Sequence, residues 1–308
     1  MKRVQIYQVD AFTREKFQGN PAGVVPDAEG LDVAQMQNIA REINCSETAF
    51  IFPPESSNHD CRIRYFTPTT EVPVCGHATI AALYVWAHQS NITGFSRVNV
   101  KTGAGILPID ITEKNNDYQI VMTQGEIEFG PVIKGNEQEL LLSALDLKLD
   151  ELHDHCPIQI VSTGHSKVLI LIKSREKLNQ LSPNMNVLFN LSKRIQCNGY
   201  YVFTLDSKDS SILTYGRMFA PAIGINEDPV TGNANGPAGA YLVQHKLIPV
   251  KGKTIHFSGF QGDLKKRTGT VDVTVHCSDQ KPAQVQVGGY AVIVFQAEIT
   301  IGDEVSSH

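Results

Sequence analysis

Apolar and polar positions alternate with period two over much of this chain, and the alternation is interrupted by helical stretches of two kinds. Residues 4–12 read as a strand, with Val4, Ile6, Val9 and Phe12 as its apolar positions. Gly19-Asn20-Pro21-Ala22-Gly23 supplies turn chemistry before a second strand at Val24-Val25. A one-sided helix is expected over 33–43, where Val33, Met36, Ile39, Ala40 and Ile43 recur at helical spacing behind the capping residue Asp32. Strands are expected near 47–52 and 61–67, a helix at 78–89, and strands near 97–112 and 118–124. The segment 125–135, with Gly130-Pro131, reads as a crossing into a second half. That half is expected to hold a helix at 136–149, a strand at 157–161, and a helix ending near Gln196 with Ser182-Pro183 as cap and first helical residue. Strands at 199–205 and 212–219 lead to another helix, and strands near 254–258, 270–277, 283–287 and 290–300 close the chain.

The helices after Gly76 and Gly232 are of the second kind, apolar on nearly every side. Ile80, Ala81, Leu83, Val85 and Trp86 surround one; Ala238, Ala240, Tyr241, Leu242 and Val243 surround the other. A helix with no polar face must itself be enclosed. The sequence before each also repeats. Arg64-Tyr65-Phe66-Thr67-Pro68 and Gly76-His77-Ala78 are answered by Arg217-Met218-Phe219-Ala220-Pro221 and Gly232-Asn233-Ala234. Ile43-Asn44-Cys45 is answered by Ile195-Gln196-Cys197, and Gly19-Asn20 more loosely by Gly164-His165. Four matches in one order point to an internal duplication with a period of roughly 150 residues. The fold expected is α+β, with two pseudo-equivalent domains, each a curved mixed β-sheet wrapped around a central helix. Strands come in runs here, which disfavours a doubly wound parallel sheet. The first repeat spans 1–124, completed by a C-terminal strand at 288–301, and the second spans 125–287.

Composition narrows the function classes. A net charge of −5, with no basic run longer than Lys265-Lys266-Arg267, disfavours a nucleic-acid surface. No stretch approaches the roughly 20 apolar residues of a membrane span, and the N-terminus enters a strand without the apolar core of a signal peptide. The six cysteines show no C-x-x-C spacing and read as reduced, chiefly buried thiols of a cytoplasmic protein. His153-Asp154-His155-Cys156 reads as a polar loop, its side chains too close in sequence to converge on one metal ion. Neither a phosphate-binding loop nor a dinucleotide fingerprint is present, so no cofactor is expected and the protein's own side chains must do any chemistry.

Both Gly-polar-Ala motifs stand at helix N-termini, where free N–H groups and the helix dipole suit an anion such as a carboxylate. The plainer alternative makes Gly76 and Gly232 turn glycines, with His77 and Asn233 as caps. A site for an acidic small molecule is expected where the two copies meet. Glu47, in Ser46-Glu47-Thr48-Ala49-Phe50, enters an apolar strand, a setting that suits general acid–base work; its counterpart in the other copy is Gly199. Glu227-Asp228-Pro229 stands where the first copy has Val74-Cys75, and Asp228 beside His77 would orient the imidazole. Plainer readings are an exposed glutamate and an Asp-Pro turn.

Gly19-Asn20-Pro21-Ala22-Gly23-Val24, Ser46-Glu47-Thr48-Ala49-Phe50, Cys75-Gly76-His77-Ala78-Thr79 and Glu227-Asp228-Pro229-Val230-Thr231-Gly232-Asn233-Ala234 together resemble the PhzF-like isomerase family of phenazine biosynthesis, over essentially the whole chain. The resemblance implies the diaminopimelate-epimerase-like fold and cofactor-free isomerisation. In the phenazine branch this moves a hydrogen on a dihydro-hydroxyanthranilate ring. It further implies Glu47 as acid–base residue, His77 as substrate-binding histidine and Asp228 as the assisting aspartate. Asn20, Gly76, Thr231, Gly232 and Asn233 become substrate-binding positions, and a homodimer is implied. Asn233 departs from the phenazine branch, which carries serine there, so the amide implies a different substrate contact. Two other readings stay open: a racemase or epimerase using Cys75, although 227–235 holds no second thiol, and a non-catalytic binding protein for an anionic metabolite.

Overall fold

The computed structural model describes residues 2–154 and 156–302, so His155 of the 153–156 loop lies outside the described residues. From the N-terminus the elements are β1 (Lys2–Ala11), β2 (Asn20–Val25), α1 (Val33–Ile43), β3 (Thr48–Phe52), β4 (Cys61–Phe66), β5 (Glu71–Val72), α2 (Gly76–Ser90), β6 (Phe95–Thr102), β7 (Gly105–Lys114) and β8 (Asp117–Thr123). There follow β9 (Glu128–Val132), α3 (Asn136–Ala144), β10 (Gln159–Ser162), β11 (Lys167–Ile172), α4 (Arg175–Gln180), α5 (Met185–Ile195), β12 (Tyr200–Thr204), β13 (Thr214–Ala220), β14 (Ile225–Asp228) and α6 (Gly232–Gln244). β15 (Thr254–Gln261), β16 (Gly269–Ser278), β17 (Lys281–Gly289) and β18 (Ala291–Ile301) complete the chain. It divides into two compact units, one of residues 1–122 with 288–308, the other of residues 123–287.

The two units repeat one topology. In the first, β1 runs antiparallel to β2 and to β18, β2 parallel to β3, β3 antiparallel to β4, β4 parallel to β6, and β6 antiparallel to β7. In the second, β10–β11 is antiparallel, β11–β12 parallel, β12–β13 antiparallel, β13–β15 parallel and β15–β16 antiparallel. Each strand bearing the R-x-F-x-P motif also carries a short antiparallel partner, β5 on β4 and β14 on β13. The fold is α+β with mixed sheets, as the run-wise order of strands predicts.

In each unit one face of the sheet packs on outer helices and the other encloses a central helix. Met36, Ile39 and Ala40 of α1 join Val4, Val25 and Phe50 in the first outer core. Leu141, Leu188 and Leu191 join Val168, Ile170, Tyr200 and Val202 in the second. α2 is buried from Gly76 to Val85 without a break, and α6 nearly as completely. The strongly one-sided α1 carries the capping box its sequence announces: Asp32 accepts from Gln35 N at 2.8 Å and Gln35 Oε1 accepts from Asp32 N at 3.1 Å.

The structure departs from the sequence expectation in several places, among them β9 within the expected crossing at 125–135, the added β11 and α4, and α3, which ends at Ala144. The cap of α5 is Asn184, accepting from Val187 N at 3.2 Å, and Ser182-Pro183 lies before it; an Asx oxygen captures the free N–H better placed than the serine. The single strand expected at 97–112 is the hairpin β6–β7, turning at Gly103-Ala104. The alignment around Asp228 also shifts. Met218 pairs with Asp228 as Tyr65 pairs with Val72, so Glu227 is the counterpart of Glu71, and the 227–229 segment does not replace Val74-Cys75. Both glutamates take the arginine of their R-x-F-x-P strand in a two-pronged ion pair, Arg64 with Glu71 and Arg217 with Glu227.

Candidate active site

Glu47 immediately precedes β3 and is tied to β2, its carbonyl accepting from Gly23 N at 3.1 Å. Its carboxyl approaches the first turn of α2. Glu47 Oε2 lies 3.4 Å from His77 Nε2, with side chains 13% and 9% exposed. Ser46 Oγ lies 3.2 Å from the same nitrogen, and Cys75 Sγ lies 3.4 Å from Nδ1 on the far side of the ring. The imidazole is therefore held between an acid–hydroxyl pair and a thiol. Glu47 Oε2 is buried yet accepts no hydrogen bond among the described residues. A buried carboxylate oxygen is costly to leave unsatisfied, about 1–3 kcal/mol or more, and His77 Nε2 at 3.4 Å is the partner set beside it.

The N-cap of α2 is Cys75, which makes no side-chain capping bond, and His77 is the second helical residue. α6 repeats this arrangement, with Thr231 at the cap and Asn233 second. The reading of His77 and Asn233 as caps is thereby corrected, and the opening N–H groups of both helices lack side-chain caps. In the second unit, Thr231 Oγ1 donates a short hydrogen bond to Asp228 Oδ2, and Thr231 N donates to Gln261 Oε1 at 3.1 Å. Gln261 Nε2 bridges Asp228 O and Thr231 Oγ1. Asn233 Oδ1 accepts from Gln124 Nε2 at 3.0 Å, while Thr163 Oγ1 donates to Gln124 Oε1 at 2.8 Å. Gly236 makes room for that glutamine, since a Cβ there would fall 1.8 Å from Gln124 Oε1.

Glu47 and His77 thus meet in the first unit, beside Gly76, while Asp228, Thr231, Gly232 and Asn233 gather in the second. Asn20, 1% exposed, opens β2 behind Gly19, whose φ of +64° and 2.2 Å approach of a notional Cβ to Ala11 O require glycine. Gln124, Thr163, Asn235 and Gln261 were not signalled by the sequence: each lies in a strand, helix or linker with nothing in its spacing to mark a polar contact. A cavity of about 350 Å³ in the first unit lies elsewhere, lined by Glu55, Arg62, Arg64, Glu71 and Lys101, side chains already joined in ion pairs.

Glu47, Cys75 and His77 offer three ligand atoms within 4.8 Å of one another, enough to attract a divalent ion. The thiol faces Nδ1 and the acid faces Nε2, so one ion would have to give up one of these two contacts. Among the described residues no helix is long and apolar enough to cross a membrane.

Comparison with known proteins identifies the family. A family model described as phenazine biosynthesis-like protein matches residues 9–297. An uncharacterised isomerase of Clostridium acetobutylicum is 56% identical, covering 98% of this chain and 99% of its own. The uncharacterised isomerase YddE of Escherichia coli K12 is 46% identical, covering 96% and 98%. A crystal structure of a PhzF-family phenazine biosynthesis protein from Bacillus anthracis superposes with a TM-score of 0.87 at 32% identity, over 98% of this chain and 100% of that one. With matches running the length of both chains in sequence and in fold, the protein belongs to the PhzF-like family and is an isomerase.

Proposed function

We propose that this protein is a cofactor-independent, cytoplasmic isomerase of a small carboxylated metabolite, in which Glu47 takes a proton from one carbon of the substrate and returns it to another. The observation that carries this reading is Glu47 Oε2, buried, without a hydrogen-bond donor of its own, and 3.4 Å from His77 Nε2. A carboxylate accepts the proton, passing through the neutral acid, and the developing negative charge on the substrate is met by fixed dipoles. His77 holds the acid through Nε2 and is the substrate-binding histidine of this reading. The uncapped N–H groups that open α2, beginning at Gly76, supply the positive end of a helix dipole to the substrate carboxylate. Asp228, ordered by Thr231, is the assisting aspartate of this reading, and Asn20, Thr231, Gly232 and Asn233 are its further substrate contacts. Six free cysteines suit a reducing compartment.

The contact of Cys75 with His77 Nδ1 favours a second reading, thiol-based racemisation or epimerisation. The two are separated by incubating wild type, Glu47→Gln and Cys75→Ala in D₂O with carboxylated ring compounds and amino acids, and following C–H signals by NMR. Proton transfer at Glu47 predicts exchange that survives Cys75→Ala and falls at least 100-fold in Glu47→Gln. Exchange that depends on Cys75 and persists in Glu47→Gln would replace the acid by the thiol. Ligand binding with neither exchange nor new product would return the protein to a binding role.

A further inference from the structure

The two units differ most sharply at one equivalent step of their parallel strand pairs. Gly23 N donates to Glu47 O between β2 and β3, and Val168 N donates to Gly199 O between β11 and β12. One residue earlier on each first strand stand Ala22 and Lys167. Where the first unit sets an acid beside a methyl group, the second sets an amine beside a glycine. The glycine is what admits the amine: a Cβ at residue 199 would lie 2.5 Å from Lys167 Cδ and 3.0 Å from its Cε.

Lys167 is 8% exposed. Alternation along β11 puts it on the face of Leu169, which is in register with Tyr201, and the Tyr201 hydroxyl bonds Asn235 of α6. The amine therefore sits on the sheet face that α6 covers, not on the face packed by the outer helices. An ammonium has three protons to place. Lys167 Nζ donates one, to Ser166 O at 3.1 Å, and has no ion pair among the described residues. Burial lowers its pKa from the ordinary lysine value, opposed by the nearby Cys197 and Asp228. Lys167 is thus a buried amine on the inner face with one hydrogen bond among the described residues.

We propose that Lys167 is the anchoring cation of a binding site for a small carboxylate in the second unit. This rests on the reading above of a carboxylated metabolite; the anion site lies within the second unit and is separate from the N–H groups that open α2. A carboxylate would accept two of the ammonium's remaining protons and add to the partial compensation that Cys197 and Asp228 give the buried charge.

Benzoate and its neutral isostere benzamide serve as probes, since the test needs no turnover. Calorimetric titration of wild type, Lys167→Met, Gly199→Ala and Glu47→Gln is the experiment, with thermal melts to confirm that each variant is folded. Wild type is expected to prefer benzoate over benzamide by about tenfold or more, the scale of a charge-assisted hydrogen bond. Lys167→Met is expected to erase that preference, and Gly199→Ala, which displaces the stem, to weaken it. Glu47→Gln is expected to retain it, so that failure of proton transfer at Glu47 would not be mistaken for failure of the anion site. Absence of the preference in wild type, or its persistence in folded Lys167→Met, would overturn the proposal.

Discussion

Two ionisable side chains, the partly buried Glu47 and the buried Lys167, make few polar contacts among the described residues, and the lysine should reveal itself as a stability cost. For Lys167 the sign follows from burial. The folded-state pKa lies below that of the unfolded chain. Between the two values the unfolded chain holds more protons, so stability rises as pH rises through that window, and below it the charged amine is a standing penalty. Lys167→Met, which keeps the stem over Gly199, should therefore melt higher than wild type at pH 7 and lose the alkaline rise in stability. Thermal melts between pH 7 and pH 10 check both. For Cys75 the expectation is milder: Cys75→Ala should leave turnover within a few-fold while Glu47→Gln loses about two to four orders of magnitude. Dialysis against a chelator should leave wild-type turnover unchanged if the Glu47–His77–Cys75 cluster works without a metal ion. A chelator-sensitive activity restored by zinc would show that it does not. At this scale the sequence was informative where a residue breaks the duplication, as Glu47 against Gly199. It was silent on Lys167, because a lone lysine in an otherwise apolar strand looks like any strand-end cation until its burial is known.

The central helices set what the elements can do. Each is pinned at an equivalent helix position by a tyrosine hydroxyl from a different strand of the repeat, Tyr65 of β4 to Thr79 on α2 at 2.7 Å and Tyr201 of β12 to Asn235 on α6 at 3.0 Å. Asn235 is the busier anchor, since its Nδ2 also donates to Thr231 O and to Gln261 Oε1. Asn235→Ala would strand several buried polar groups and should cost about 1–3 kcal/mol or more in urea unfolding. Because Gln261 also holds Thr231, the same change should raise the KM of any carboxylate substrate. A folded variant with unchanged stability would show that this network does not position α6. Pro237 lies within α6 and removes one helical donor, freeing the carbonyl of Asn233 in the first turn. The enclosure of both helices was legible in their all-round apolar character. Their anchoring was not, because a hydrogen bond between a strand tyrosine and a helix side chain leaves no periodic trace. The short helix α4, capped by Ser174 through Lys177 N, was also invisible: six residues are too few for a helical period to register.

Over the whole molecule, the duplication read from R-x-F-x-P and G-[HN]-A is the order of strands in both units. Its finer alignment needed the pairing registers, which move Asp228 opposite Met218 and reveal Glu71 and Glu227 as equivalent structural acids. The last strand carries a separate consequence. β18 pairs with β1 along nearly its full length, from Lys2 opposite Ile301 to Ala11 opposite Ala291. Removing residues 290–308 should expose the whole edge of β1 and leave the first unit unable to fold. The expected result is an insoluble product, or loss of the cooperative transition by circular dichroism. A soluble, active truncation would show that β18 is dispensable.

The most direct test of a proton shuttle at Glu47 is the fate of the transferred hydrogen. On a compound that the exchange screen identifies, deuterium placed at the carbon that loses its hydrogen would be followed by mass spectrometry of the product formed in H₂O. One carboxyl that both takes and returns the proton predicts deuterium at the receiving carbon in part of the product, with turnover collapsing in Glu47→Gln. Complete loss of label to water, with turnover that survives Glu47→Gln, would contradict it.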